Sequence, residues 1–317
     1  MTSIVTRTAG RAGLFLLAMV MLTATAPGKQ LFDYVDEHGV RHFTDTAPAT
    51  DSAVRITRIQ VDERPLIRLE TPEDGSGGSR IVIHNLSAGP IEVGLGFSES
   101  QNIATTPSLP GRFVLDTPGE HTVATAASID RFQPASFRIE ATAVPGDPRG
   151  RPDPRVLYRL PLPGGTRYAI GQGFGGSFSH NDDQNFHAVD IGVDEGTPVV
   201  AARDGIVIQV ERDFYESGSD KSRLAGRANY VRVMHEDDTM AVYAHLAYES
   251  VLVRPGDVVL AGQRIGSAGA TGFATGPHLH FVVQHNAGLR LKSIPFQFVG
   301  PDGGYTPTRS QGGERAR

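Results

Sequence analysis

The chain has 317 residues, a formal net charge of −5 at neutral pH and no cysteine. This length allows two or three domains, each with a hydrophobic core. The acidic excess argues against nucleic acid as a partner, because proteins that bind it usually carry a basic surface. Without cysteine the chain has no disulfide bonds and no thiolate ligands, so any metal must be held by His, Asp or Glu.

The first residues have the pattern of an export signal. Residues 1–28 contain Arg7, Arg11, no acidic residue and the apolar stretch "LFLLAMVMLTATA", which ends in the small residues Ala24 and Ala26. The apolar stretch is shorter than the roughly 20 residues that a transmembrane helix needs. We predict that residues 1–28 are a signal peptide, that no transmembrane segment remains after cleavage, and that the protein is periplasmic or secreted.

The next part of the chain alternates short strand patterns with turns. Two aromatic-rich runs around an Asp-Glu-His-Gly turn predict a small β module at residues 29–60. This module resembles a short exported domain at the start of many envelope proteins of Gram-negative bacteria. Short apolar runs separated by Gly, Pro and Ser predict a β-sandwich-like domain at 61–143, and the Pro- and Gly-rich residues 144–156 predict a linker.

The character of the sequence changes after this linker. Seven of the eleven histidines lie between His180 and His285, among strand signals such as "GIVIQV", "MAVYAHL" and "LHFVVQH". We predict a mostly β chain in which residues 157–300 form an antiparallel β-sheet or barrel-like domain. Within it, the charged segment 211–228 is expected to be a surface loop, and residues 301–317 a disordered tail.

The stretch "GPHLHF" carries the sharpest local signal for a functional site. On a strand, residues i and i+2 share a face, so His278 and His280 point the same way while Leu279 turns into the core. Two imidazoles on a solvated face are the alternative reading, and a second histidine-bearing strand argues against it. The run "MAVYAHLAY" places His245 beside them, and its alternation predicts that His245 shares a face with Tyr243.

The remaining histidines of this half are assigned less directly. His235 begins the turn "HEDDTM" and is predicted to be exposed, and His285 is predicted to be structural or solvated. Asp190 in "HAVDIG" can supply a carboxylate ligand to a metal. A third ligand could come from His187 or from His180, and the strand pattern favours His180. His187 is three residues from Asp190, which on an extended strand puts the two side chains on opposite faces.

Three separated blocks resemble the lysostaphin-type (LytM-like) zinc metallopeptidases, a family of peptidoglycan endopeptidases. The blocks are "QGFGGSFSHNDDQNFHAVDIGVDEGTPVVAARDG", "VYAHL" and "GATGFATGPHLHF", and the resemblance covers about residues 157–300. It implies a Zn²⁺ site made of a histidine and Asp190 from the first block and His280 from the third. It also implies that the substrate is peptidoglycan peptide, and that His245 and His278 are catalytic.

The first block departs from the commonest family pattern at one point. That pattern has three residues between histidine and aspartate, whereas His187 and Asp190 are separated by two. Family members with a longer loop place the ligand in an "FSH" segment like residues 178–180. The resemblance therefore also favours His180 as the ligand, with His187 as the open alternative. The sequence does not divide the catalytic roles between His278 and His245; we assign His278 the role of general base and His245 that of stabilising the oxyanion.

Two other functions fit parts of the sequence. "GTPVVAARDGIVIQV" resembles half of a lipoyl or biotinyl carrier barrel, but neither Lys221 nor Lys292 lies at the hairpin tip that a carrier needs. A catalytically degenerate cell-wall-binding scaffold or amidase activator is the stronger alternative, and such proteins typically lose metal ligands. The expected bond is D-Ala to meso-diaminopimelate and not a Gly-Gly bridge. The sequence does not predict an oligomeric state.

Overall fold

The computed structural model of the chain describes residues 64–300 and 303–307, together with short strands outside these ranges. The first of these strands are β1 (Thr2–Ala9), β2 (Lys29–Val35), β3 (Arg41–Thr44) and β4 (Arg55–Ile59). Strand β2 pairs antiparallel with both β3 and β4, so the predicted β module contains a three-stranded sheet. The rest of the predicted signal peptide, and the turn between β2 and β3, lie outside the described residues.

A β-sandwich follows, as the spacing of the short apolar runs predicts. Its strands are β5 (Ile67–Glu70), β6 (Ser79–Asn85), β7 (Ile91–Gln101), β8 (Ile103–Thr106), β9 (Gly111–Leu115), β10 (Gly119–Ser128) and β11 (Ala135–Pro145). Together with β1, these strands form two sheets with the orders β1-β11-β7-β9 and β5-β6-β10-β8. Alternating side chains such as Ile81 and Ile83 from one sheet and Ile91 and Val93 from the other share one buried core.

The segment predicted as a linker is packed against its neighbours. Gly146 N donates to Pro90 O at 2.8 Å, and Asn286 Nδ2 donates to Gly146 O at 3.0 Å, which ties both domains to the same glycine. Arg149 bridges to Asp116 of the sandwich at 2.6 Å. These contacts attach the sandwich to the C-terminal domain along the side of the sheet.

The C-terminal domain is built almost entirely from strands. They are β12 (Leu157–Tyr158), β13 (Arg167–Gln172), β14 (Val189–Gly192), β15 (Pro198–Val200), β16 (Gly205–Glu211), β17 (Ser217–Gly218), the helix α1 (Lys221–Leu224), β18 (Tyr230–Met234), β19 (Met240–Ala244), β20 (Val258–Val259), β21 (Arg264–Ser267), β22 (Gly272–Phe273), β23 (His278–Asn286), β24 (Leu291–Ser293), β25 (Gln297–Gly300), β26 (Gly303–Tyr305) and β27 (Glu314–Arg315). No helix among the described residues is long and apolar enough to cross a bilayer.

One large antiparallel sheet organises this domain. Its strand order is β20-β16-β18-β19-β23-β14-β13-β27, with β24 beside β23. The predicted antiparallel β architecture is confirmed, and the sheet is open and does not close into a barrel. Strand β26, which lies in the predicted tail, pairs with β25, which precedes the tail. Residues 301–302, 308–313 and 316–317 lie outside the described residues.

The two faces of this sheet have different roles. One face is dry: Tyr243, Leu279 and Phe281 are fully buried there, and Phe281 packs edge-on against Phe296 at 5.1 Å. Burying each such apolar side chain contributes about 1.5–3 kcal/mol, which holds the strand register in place. The opposite face is lined by polar groups and faces a groove.

Two sequence predictions in this domain are wrong. His235 is buried, not exposed: its Nδ1 donates to Asp204 O at 2.7 Å and its ring packs edge-on against Tyr158 at 5.6 Å, because β12 and the turn before β16 cover it. The segment 211–228 is not a simple surface loop, since it contains β17 and α1. It buries Phe214 and Leu224, so it is a fixed wall of the groove.

Candidate active site

Strand pairing brings two of the predicted ligands side by side. Asp190 on β14 and His280 on β23 are direct cross-strand partners, and Asp190 Oδ1 lies 2.9 Å from His280 Nδ1. Their neighbours along each strand, Ile191 and Leu279, are fully buried in the core. Because side chains alternate along a strand, burial of these two apolar residues turns Asp190 and His280 to the groove.

The third predicted ligand reaches the same point from a loop. His180 is fully buried, and its Nε2 lies 3.1 Å from Asp190 Oδ1. One potential ligand atom from each of His180, Asp190 and His280 falls within 4.8 Å of the other two. The structure therefore brings together the three residues that the sequence analysis favours.

His187 lies elsewhere. Its backbone N–H donates to Ser293 Oγ at 3.2 Å, and its ring packs edge-on between Phe174 and Phe186. The extended conformation assumed for this residue is wrong, because β14 begins only at Val189 and His187 belongs to the preceding turn. It is the return of the loop, and not strand alternation, that separates His187 from Asp190.

His245 and His278 form a second histidine pair beside this group. Their ring centroids are 4.6 Å apart, and His278 Nε2 is 3.7 Å from Asp190 Oδ1. The predicted shared face of His245 and Tyr243 is wrong: Tyr243 is in the core, whereas His245 lines the groove. His245 follows the end of β19 with a φ of +60°, and this left-handed conformation breaks the alternation and turns the ring to the groove.

Backbone carbonyls fix the orientation of three of these rings. Nδ1 of His180 donates to Gly173 O at 2.9 Å, Nδ1 of His245 to Thr271 O at 2.6 Å, and Nδ1 of His278 to Gly276 O at 2.9 Å. A carbonyl oxygen only accepts, so each Nδ1 carries a hydrogen. In the neutral ring Nε2 then carries a free lone pair. His245 and His278 line the groove, and Nε2 of His180 faces Asp190.

This arrangement suits a bound cation. In neutral His180 the single ring proton is on Nδ1, so Nε2, which faces Asp190, has a free lone pair. A lone pair and a carboxylate repel each other unless a positive charge lies between them. Either an additional proton or a metal ion supplies that charge. Two imidazole nitrogens and one carboxylate oxygen form a donor set that fits Zn²⁺.

The charges of the site are consistent with this interpretation. Burial alone would raise the pKa of Asp190, but the hydrogen bonds that His180 and His280 donate when the nitrogen facing Asp190 carries a proton outweigh burial and hold that pKa well below its usual range. Burial lowers the pKa of His245 to about 3, with the neighbouring His278 and His280 acting in the same direction, and burial also lowers the pKa of His278. Asp190 is thus a carboxylate, and His245 and His278 are neutral bases, at neutral pH.

Four of the five residues, Asp190, His245, His278 and His280, line a groove of about 640 Å³, and the fully buried His180 contacts Asp190 from beneath it. At one end Phe178 stacks on Phe273 with 5.3 Å between ring centroids, and segment 211–228 contributes Lys221 and Leu224 to the wall. Two polar contacts to the metal-ligand candidates were not predicted from the sequence. Gln172 Nε2 donates to Asp190 Oδ2 at 3.1 Å, and Asn185 accepts from His280 Nε2. Both residues lie within the first sequence block, but no motif spacing distinguishes them there.

Comparisons with known proteins agree with this part of the fold. The family model described as peptidase family M23 matches residues 184–290, a range that includes every candidate site residue except His180. A model described as a domain of unknown function (DUF4124) matches residues 18–74.

Individual relatives are similar to part of the chain. An uncharacterized metalloprotease of Haemophilus influenzae is 36% identical over 118 residues, which are 37% of this chain and 22% of the relative. Peptidoglycan DD-endopeptidase ShyA of Vibrio cholerae is 39% identical over 95 residues, 30% of this chain and 19% of the relative. The chain thus covers about a fifth of the length of these relatives.

Among solved structures, the catalytic domain of the antimicrobial peptidase lysostaphin from Staphylococcus simulans is 28% identical, with a TM-score of 0.28 over 44% of this chain and 89% of that domain. The family match includes Asp190, His245, His278 and His280. Residues 184–290 of this chain are a peptidase family M23 domain.

Proposed function

We propose that this protein is an exported zinc-dependent endopeptidase that hydrolyses the peptide cross-links or stems of peptidoglycan. The observation that carries the proposal is the convergence of His180 Nε2, Asp190 Oδ1 and His280 Nδ1 at one point of an open groove. Two relatives support the substrate class, since they are named peptidoglycan DD-endopeptidase ShyA and DD-carboxypeptidase/endopeptidase Mpg.

The metal ligands in this proposal are His180, Asp190 and His280. Three protein ligands from imidazole and carboxylate leave a coordination position open, as in catalytic zinc sites. When bound, Zn²⁺ polarises the scissile carbonyl and lowers the pKa of water to about 7. The absence of cysteine from the chain excludes a thiolate site and leaves this nitrogen and oxygen donor set.

One histidine of the pair is proposed to transfer the protons of the reaction. Amide hydrolysis needs a base that takes a proton from the attacking water and later returns it to the leaving amine. We assign this role to His278, because its Nε2 is an acceptor 3.7 Å from Asp190, and that carboxylate stabilises the protonated ring.

For His245 we propose a role other than the oxyanion stabilisation expected from the sequence. Stabilising an oxyanion requires a hydrogen on Nε2, whereas Thr271 O holds the hydrogen on Nδ1 and burial keeps the ring neutral. In this state His245 only accepts a hydrogen bond at the groove. We assign it to orient the attacking water by accepting one of its hydrogens.

The proposal is tested by zinc content and hydrolysis of purified sacculi. We expect stoichiometric zinc in the wild-type protein, hydrolysis that stops with a chelator and returns with zinc, and loss of both zinc and activity in His280→Ala and Asp190→Ala. The matched control is His285→Ala, since His285 lies on the same strand but outside the groove. Hydrolysis by metal-free protein, or full zinc occupancy in both ligand variants, would refute the assignment.

The bond that is cut is tested separately. We expect mass spectrometry of digested muropeptides to show cleavage between D-Ala and meso-diaminopimelate, in keeping with export into a Gram-negative envelope. A scaffold or amidase activator would instead leave muropeptides intact despite bound zinc. The grouping of His180 with Asp190 and His280, beside His245 and His278 at the groove, favours the enzyme.

A further inference from the structure

His280 differs from the other three histidines of the site in what holds its second ring nitrogen. Backbone carbonyls fix His180, His245 and His278, but His280 Nε2 contacts a side chain, Asn185 Oδ1, at 3.2 Å. We propose that Asn185 is a positioning residue that holds His280 as the tautomer whose Nδ1 lone pair is presented to the metal. This inference rests on the proposed zinc site and concerns how one ligand of that site is prepared.

The orientation of the Asn185 amide is determined by its other neighbour. Asn185 Nδ2 lies 3.0 Å and 3.2 Å from the two carboxylate oxygens of Asp182. A carboxylate only accepts hydrogen bonds, so the amide nitrogen must face Asp182 and the amide oxygen must face His280. That oxygen also only accepts. Nε2 of His280 therefore carries a hydrogen, and in the neutral ring Nδ1 is the lone pair directed to Asp190 Oδ1.

The turn that carries Asn185 is rigid. Asp182 Oδ1 accepts from the backbone N–H groups of Gln184 and Asn185, each at 3.0 Å. The turn is also tied to the sheet, since Gln284 Nε2 donates to Gln184 O at 2.9 Å and Ser293 N donates to Asp183 O at 2.7 Å. His187, on the same turn, adds its contacts to Ser293.

A structural role for His187 follows from these contacts. The segment from His180 to Asp190 supplies two ligands directly and, through Asn185, orients the third, His280 on β23. His187 contributes to the anchorage of this turn and not to the metal. The pattern matches the general design of metal sites, in which the nitrogen of a ligating histidine that does not bind metal donates to an outer partner.

The test compares full-length variants by their zinc dissociation constant, measured by chelator competition. Loss of such an outer partner typically weakens metal binding about 10–100-fold, and we expect this for Asn185→Ala. The matched control is Asn181→Ala, because Asn181 is exposed on the same loop and its side chain donates a hydrogen bond to Ser177 O at 3.3 Å. We expect its zinc affinity to stay within about threefold of the wild type, a difference below about 1 kcal/mol.

A rescue variant separates positioning from mere stability of the turn. In the double variant Asp182→Asn with Asn185→Asp, the carboxylate at position 185 still accepts from His280. The amide nitrogen at position 182 can donate to that carboxylate, and the amide oxygen at position 182 can accept from the backbone N–H groups of residues 184 and 185. We expect this pair to recover most of the lost zinc affinity. In addition, ¹⁵N spectra of histidine-labelled metal-free protein should show His280 with its hydrogen on Nε2, assigned through the signal missing in His280→Ala.

Each result decides between the alternatives. Unchanged zinc affinity in Asn185→Ala overturns the inference, as does a wild-type His280 whose single hydrogen is on Nδ1. Weakened binding that the exchanged pair does not rescue also overturns it, because the loss then reflects the turn alone. A wild-type protein that binds no zinc defeats the proposed metal centre itself, and the ¹⁵N spectrum then still reports whether Asn185 sets the tautomer.

Discussion

Buried His235 should make this protein sensitive to acid. Its side chain is almost fully covered, and its Nε2 has no hydrogen-bond partner among the described residues. Burial lowers the pKa of His235 to about 4; the hydrogen bond to Asp204 O opposes this shift and the charge of Arg203 adds to it. Protonation in the folded state would place a charge where water cannot reach it.

The sign and size of the effect follow from the two pKa values. The usual pKa of histidine is about 6.5, so between about pH 6.5 and pH 4 the unfolded chain binds a proton that the folded chain excludes. The contribution of His235 to stability is therefore complete above about pH 6.5 and is lost as the pH falls. From about pH 7.5 to about pH 5 the loss amounts to about 2 kcal/mol.

The variant His235→Asn isolates this contribution. Its amide nitrogen takes the position of Nδ1 and can still donate to Asp204 O, but it does not titrate. We expect the free energy of unfolding in urea to fall by about 2 kcal/mol more in the wild type than in the variant over that pH range. The chain has no tryptophan, so unfolding is followed by circular dichroism. Equal pH dependence in both proteins would show that His235 is not buried as a neutral ring.

Three further outcomes concern the site itself. His180→Ala should lose zinc, whereas His187→Asn should keep it; the reverse zinc contents in paired assays would exchange their roles. His278→Ala and His245→Ala should retain zinc and lower turnover by about 100-fold or more, and near-normal turnover would remove the residue concerned from the catalytic set. Gly269 bonds through its backbone to both His245 and His278, and a Cβ there would meet neighbouring backbone at 2.6 Å. Gly269→Ala should therefore destabilise the fold by about 1–3 kcal/mol in urea and lower turnover at unchanged zinc content, and wild-type values of both would contradict the close packing.

Local patterns predict much of this domain because they depend on neighbouring residues along the chain. The alternation in "GPHLHF" correctly puts Leu279 in the core and His278 and His280 on the groove. The same rule fails at His245, where one residue of positive φ ends the strand and reverses the expected face. The turn pattern fails at His235, because the residues that bury this ring come from distant parts of the chain.

The residue pattern along the chain is enough to predict the antiparallel β architecture, the lack of thiolate ligands and the short set of histidines and aspartate from which a site could be built. Which of these side chains meet depends on the folded arrangement of the strands and loops. The pairing of Asp190 with His280 spans 90 positions, and it depends on a strand register fixed by burial of the other face. The position of His180 depends on hydrogen bonds to Gly173 O and Gly176 O, and the contact of Asn185 with His280 depends on hydrogen bonds from β23 and β24 to the turn. These bonds exist only once the sheet has formed, so no spacing along the chain encodes them.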